Sequence, residues 1–311
     1  LEFFAQDRWY EFATNSPTLD GGDRGIFYGG SPNTNVIDFV TMTTAGNATD
    51  FGDALSANRQ RGVCASTTRA VSHGRDGGSD VIEYVTFSST GNAQDFGDGT
   101  VNRAGAPMAV SNGNRGIWAG GDAGPGTLLN SIDFITIAQT GNAVDFGDLN
   151  VIHSDGGRAQ SPTRGVIGGG RGPNSSSFTN AMSFITIATT GNSIDFGDLL
   201  LARNEIASDS NATRGIFAGG NTPGATTTIE FITIATLGNS SEFGDQTSES
   251  GSGRGSANST RFVFSLGYVS PSNSNIIDYV QIATQGDSVD FGDLTRQSGQ
   301  AAAASNGHGG L

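Results

Sequence analysis

One short phrase returns six times along this chain at nearly constant intervals, and that periodicity limits the fold more than any other feature. The copies are Asp50-Phe51-Gly52-Asp53, Asp95-Phe96-Gly97-Asp98, Asp145-Phe146-Gly147-Asp148, Asp195-Phe196-Gly197-Asp198, Glu242-Phe243-Gly244-Asp245 and Asp290-Phe291-Gly292-Asp293. Their phenylalanines (Phe51, Phe96, Phe146, Phe196, Phe243, Phe291) lie 45, 50, 50, 47 and 48 residues apart. A second aromatic stands twelve residues before each: Phe39, Tyr84, Phe134, Phe184, Phe231 and Tyr279. Asp-Phe-Gly is also the Mg²⁺-holding triplet of protein kinases, but an active site is made once. Six copies at fixed spacing therefore read as scaffold.

Each unit offers four strand candidates. Strand A is a short small-residue segment such as 106–112 or 205–211, and strand B is an apolar run such as 214–220 that ends in a glycine pair. Strand C, as in 132–138, carries Ile132 and Phe134 on one face and Asp133, Ile135 and Ile137 on the other, so both faces require cover. Between C and D stands Thr-Gly-Asn or a close variant, a tight hairpin turn that keeps the twelve-residue spacing constant. Strand D carries the triplet, with the Phe buried against a neighbouring unit, a bulge at the Gly, and the flanking carboxylates turned toward backbone donors or arginine.

Composition agrees with many strands and tight turns. The chain has 311 residues with 48 Gly and 15% charged residues, a balance that disfavours helices. Four-stranded units that cannot bury their own faces stack radially at this period. The expected fold is all-β: a β-propeller of four-stranded antiparallel blades.

The repeat resembles the kelch repeat: an apolar run ending in Gly-Gly at 29–30, 120–121, 168–169 and 219–220, then an aromatic on the next strand and a second at fixed spacing. The Gly pair is degraded in copies two (69–74) and six (261–267), and Phe stands where kelch strand four has Trp. The fuller string, read at 182–199 and its counterparts, is similar to kelch-like repeats of structural proteins in marine tailed-phage virions. That resemblance, over about residues 24–306, implies a virion component such as a tail fibre, appendage or capsid-decorating protein. It also implies an extracellular particle as location, with secretion as the alternative.

Closure sets the blade number. From each triplet Phe to the Arg opening the next strand B is 18 or 19 residues, but Phe12 to Arg24 is only 12. The carboxyl end supplies a strand A with no B after it. Residues 296–306 are thus expected to pair beside Arg24–Gly30 and close a six-bladed ring by joining the N- and C-terminal segments. In the seven-bladed alternative, residues 1–12 form a shortened hairpin completing a blade with 296–311. The units fall near 24–53, 54–98, 99–148, 149–198, 199–245 and 246–293, with 1–23 as an arm or partial blade.

No candidate for catalysis stands out. All 16 basic residues are Arg and 30 are acidic, for a net charge of -14, which argues against nucleic acid or an anionic membrane as partner. The absence of Lys removes the phosphate-binding lysine of kinases and P-loop enzymes. Cys64 is the single cysteine, so no disulfide forms within the chain. No run of 18 apolar residues and no signal-peptide pattern occurs, so membrane insertion is not expected. His73, His153 and His308 are scattered over different units, which disfavours zinc. His153-Ser154-Asp155 are sequence neighbours, which rarely converge as a triad. The carboxylate pairs around each Phe-Gly leave two readings: Ca²⁺ ligands, or partners of turns and of the repeated arginines Arg24, Arg69, Arg115, Arg164, Arg214 and Arg261. Trp9 and Trp118 are the only tryptophans, too few for one exposed aromatic per blade as in propeller lectins. No cofactor, metal or catalytic residue is assigned, and a non-enzymatic role is expected.

In antiparallel blades the A–B and C–D turns emerge on one face and the B–C and D–A connections on the other. The first set is monotonous, while the second varies at 31–36, 122–130, 171–180, 221–228 and 269–275. Recognition concentrates in loops free of fold constraint. Asn33, Leu128, Leu129, Asn174, Phe178, Thr222 and Ser272 are the candidate contacts for other virion proteins, a host receptor or glycan, or a second copy of the chain. The rival reading is a secreted carbohydrate-binding or carbohydrate-active propeller with a pocket at the ring axis.

Overall fold

The computed structural model describes residues 22–124, 127–172 and 177–307, together with the backbone of 2–5 and 8–11. Six four-stranded antiparallel sheets form the blades, with strands ordered A-B-C-D from the axis outward. Blade one is Ala302–Ser305, Arg24–Tyr28, Thr34–Thr41 and Thr49–Asn58; blade two is Gly62–Ala65, Arg69–His73, Ser79–Thr86 and Gln94–Arg103. Blade three is Met108–Ser111, Arg115–Ala119, Ser131–Thr136 and Val144–Asp148; blade four is Gly157–Gln160, Arg164–Gly168, Ala181–Thr186 and Ile194–Asp198. Blade five is Ala207–Ser210, Arg214–Ala218, Gly224–Thr233 and Ser241–Ser250; blade six is Arg254–Ala257, Arg261–Ser265, Ile276–Gln281 and Val289–Asp293.

The six-bladed arrangement holds. Ala302–Ser305 pairs with strand B of blade one, Ile26 opposite Ala304, so the chain's two ends share one sheet. Glu2–Ala5 and Arg8–Glu11 pair with each other in a two-stranded sheet, not as the outer half of a seventh blade; Leu1 and Phe12 lie outside the described residues. Strand D of blades one, two and five runs ten residues, past the unit boundaries expected at 53, 98 and 245. In these blades the B–C loop is short and strand C starts early, which gives the extra length of D a partner. Residues 34–36 and 224–228, expected as loop, belong to these lengthened C strands.

The triplet and the hairpin turn prove to be two halves of one clasp. Gly191 N donates to Phe146 O at 2.8 Å, Ser193 N to Asp148 O at 2.9 Å, and Asp148 N to Asn192 Oδ1 at 3.0 Å. All six junctions repeat this pattern. At the closing one, Gly46 N donates to Phe291 O at 2.7 Å, Ala48 N to Asp293 O at 2.7 Å and Asp293 N to Asn47 Oδ1 at 3.1 Å. In the blade-six turn Asp287 replaces Asn, and its Oδ1 accepts from Asp245 N at 2.9 Å.

The register slips between Ile132/Gly147 and Asp133/Asp145, so Phe146 is the extra residue of a bulge. It thereby turns into the junction, where it is 2% exposed, and packs with Ile167, Ile185 and Ile187 of the next blade. Burial of each such ring contributes about 1.5–3 kcal/mol. The ring also meets the strand-C aromatic of its own blade edge-on, Phe134 to Phe146 at 6.0 Å between centroids. Gly147 adopts φ +147, where a side chain would collide with the Gly191 carbonyl.

Two expectations about charge need correction. The tie between blades is made by the backbone of Asp148, not its carboxylate, and Asp145 is exposed. Nor do the repeated arginines meet these carboxylates among the described residues. Arg115 stacks over Phe134 at 4.3 Å and donates to Ile187 O of the next blade at 2.9 Å. The other five do the same over their own strand-C aromatics and reach the next blade likewise. A guanidinium on an aromatic face with a carbonyl at its edge uses both its charge and its planar fork.

A different set of arginines makes ion pairs with the acid that immediately precedes the strand-C aromatic. Arg103 meets Asp133 at 2.9 Å and Arg203 meets Glu230 at 2.9 Å, all four side chains at 0% exposure; Arg61–Glu83 and Arg296–Asp38 are each 2.8 Å apart. Blade four has Ser183 in place of the acid. There His153, seven residues after Phe146 as Arg103 is after Phe96, donates from Nδ1 to Gly169 O at 2.8 Å, and burial lowers its pKa. In five blades charge thus meets charge or neutral meets neutral; in blade six Asp278, equally buried, instead accepts from Thr247 N, Thr247 Oγ1 and Ser288 Oγ, with no arginine paired to it among the described residues.

Candidate functional site

Two residues before each inner strand the chain turns through a left-handed conformation: Gln60, Ala106, Asp155, Glu205, Ser252 and Gln300, with φ of 60, 21, 56, 55, 62 and 53°. Only the geometry is shared, not the residue type. It sets N–H and C=O tangential to the axis, so neighbouring blades bond to one another. Gln60 N donates to Gln300 O at 3.1 Å, Ala106 N to Gln60 O at 2.9 Å, Asp155 N to Ala106 O at 3.3 Å, Glu205 N to Asp155 O at 2.7 Å and Gln300 N to Ser252 O at 2.8 Å. Ser252 Oγ completes the circuit by donating to Glu205 Oε2 at 2.6 Å. This collar encircles the axis on the face of the irregular loops.

Side chains on and beside the collar form a charged cluster. Asp155 meets Arg171 at 2.5 Å and Asp122 meets the same guanidinium at 2.7 Å. Burial pushes the Asp155 carboxyl up to about 6; Arg171 pulls it down and Glu205 pushes it up. Glu205 accepts from Asn221 Nδ2 at 2.8 Å and Gln300 Nε2 at 2.6 Å. Outward from the cluster runs a groove of about 360 Å³ with Arg59, Gln60, Asp76, Asp122 and Arg171 on its walls. Arg59 and Asp76 pair at 3.0 Å. Asp122 Oδ1 and Arg171 Nε are buried there without a hydrogen-bond partner among the described residues. The groove thus offers donors and acceptors of both signs, a chemistry suited to a polar, hydroxyl-rich ligand.

On the axis beneath the collar lies a cavity of about 20 Å³. That is far below the ~300–1,000 Å³ of small-molecule sites, so an axial sugar pocket does not fit this ring. The opposite face carries shallow depressions made from the same turn residues in different blades, at 134–144, 39–49 and 279–289. Uniform letters give uniform relief.

The loop candidates divide. Asn33 and Ser272 are exposed, Thr222 is half-buried, and Asn174 lies outside the described residues. Leu128, Leu129 and Phe178 are half-buried, so they do not make a contiguous exposed apolar patch. The glycine pair of blade four with positive φ is Gly169–Gly170, one residue later than the sequence suggested, because Gly168 completes strand B.

His153, Ser154 and Asp155 face different partners: His153 the Gly169 carbonyl, the other two Arg171. His73 packs edge-on against Trp118 at 5.4 Å, and burial pushes its pKa down to about 4; His308 lies outside the described residues. Cys64 is buried, its thiol pushed up to about 12 by burial. Among the described residues no three His, Cys, Asp or Glu side chains gather as a metal would need, and no helix is long and apolar enough to cross a membrane.

The groove residues Arg59, Asp76, Asp122 and Arg171 were not singled out from sequence. Their one signal is that each sits in or beside a variable connection. No family model matches this chain, and no curated protein matches it.

Proposed function

We propose that this propeller is a non-enzymatic structural and adhesion module that presents its irregular face to a partner, and that it belongs to a tailed-phage virion. The observation that carries the adhesive role is the contrast between faces. One is built six times from the same clasp and turn, while the other holds loops of differing length around a charged groove. The virion assignment rests on the resemblance of the repeat string. In this reading the partner is a neighbouring subunit or a host-surface receptor or glycan, met outside the cell without cofactor or nucleic acid.

The carbohydrate-binding alternative keeps one favourable observation, the groove itself, which has the size the axial cavity lacks. Binding to isolated virions, to host envelope and to a glycan array distinguishes the two. Arginine substitutions at exposed Asn33 and Ser272 and at Asp76 should abolish capture of envelope or virion protein without lowering the melting temperature. Arginine at Thr140 or Thr190 on the uniform face should leave capture intact. The opposite pattern overturns the adhesive reading, and cleavage of a polysaccharide by the purified protein overturns its non-enzymatic part.

A further inference from the structure

The axial cavity is small but unusual in its lining. Its volume of about 20 Å³ exceeds the roughly 10–15 Å³ that one water-sized sphere requires. All six blades or their connections border it, and among the described lining residues are three arginines, Arg61, Arg158 and Arg254, and no carboxylate. Arg61 is neutralised by Glu83 at 2.8 Å. Arg158 and Arg254 form no ion pair among the described residues.

Their hydrogen bonds go to carbonyls, which satisfy donors without cancelling charge. Arg158 NH2 crosses the axis from blade four to Ala303 O of blade one at 2.5 Å, and Arg254 NH1 donates to Gly253 O at 2.7 Å. Arg158 Nε is buried without a hydrogen-bond partner among the described residues. The acids that act on these arginines lie outside the lining: Asp209, whose charge attracts Arg158, accepts from Gln160 Nε2, Ser210 N and Ala257 N; of the two that act on Arg254, Asp155 pairs with Arg171 and Glu205 accepts from Asn221, Ser252 and Gln300. Ser208 Oγ accepts from Arg158 N at 2.7 Å, which leaves its own O–H to donate.

Two guanidinium charges bordering one small void repel each other, with burial first and Arg158 after it lowering the pKa of Arg254. An anion between them offsets that cost. We propose that the axial cavity binds one monatomic anion of the halide class, held by Arg158 and Arg254. The small volume suits a single small anion over sulfate, phosphate and carboxylate ligands.

The test uses bromide as probe. Crystals of the full chain grown or soaked in sodium bromide should show an anomalous peak on the axis between the two side chains. Thermal unfolding at constant ionic strength should show a saturable rise in melting temperature when sodium gluconate is exchanged for sodium bromide. Arg254→Gln and Arg158→Gln should each weaken that response at least about tenfold in bromide concentration, since each removes a charged donor. If either variant fails to fold, the wild-type peak and titration decide alone. Bromide found only at surface arginines, or equal responses in wild type and folded variants, would overturn the proposal.

Discussion

Asp148 and Asn192 lie 44 residues apart in sequence and are joined across the junction of blades three and four, N–H to Oδ1, at 3.0 Å. Their contact exists because Gly147 lets the two backbones approach: a Cβ at Gly147 would stand 2.6 Å from the Gly191 carbonyl. Gly147→Ala is therefore expected to lower stability by about 1–3 kcal/mol. Gly46→Ala, with nothing within 4 Å of the added Cβ, should stay within about 0.5 kcal/mol of wild type. Equilibrium urea unfolding measures both, and equal effects would refute the steric account of the clasp.

Blade four offers a test of charge matching. Ser183→Asp alone buries an unpaired carboxylate, and His153→Arg alone buries an unpaired guanidinium, so each should destabilise. Together they recreate the Arg103–Asp133 pair of blade three. A double-mutant cycle should return a favourable coupling of about 1–3 kcal/mol; additive losses would show that the two positions do not communicate.

Burial raises the Asp209 carboxyl from 3.8 to about 6, against the opposing pull of Arg158 and the N–H groups of Ser210 and Ala257. Between those two values the native state binds more protons than the unfolded chain, so stability falls as pH rises through the window. Melting temperature should thus drop from pH 5 to pH 7. Asp209→Asn should flatten part of that slope. Parallel wild-type and variant curves would remove Asp209 as its source.

Terminal deletions should be unequal. Removing residues 302–311 strips blade one of its inner strand and is expected to abolish cooperative unfolding. Removing residues 1–11 takes away strands that, among the described residues, pair with each other and should leave the melting temperature nearly unchanged. Differential scanning calorimetry reads both, and loss of the transition in the second deletion would place the hairpin within the ring's stability.

The sequence was most informative where local chemistry repeats. The turn at 140–142 and the bulge around Phe146 each need particular residues nearby, so they recur visibly and led to the ring. What they touch was hidden, because Phe146 and Gly191 meet only after blades stack. The acid of strand C was legible as an oddity on a covered face. Its cation was not, since Arg103, Arg296 and Arg61 reach it from different distances along the chain. The collar left no trace in the letters: Ala106 and Glu205 share a backbone conformation and nothing else.

The inner strand of blade one comes from Ala302–Ser305, whereas its other three strands come from residues 24–58. On a ribosome the first blade begun is therefore the last completed, after blades two to six have each emerged as contiguous chain. Until then Gly25–Tyr28 presents an open hydrogen-bonding edge that any nascent neighbour's terminal segment can occupy.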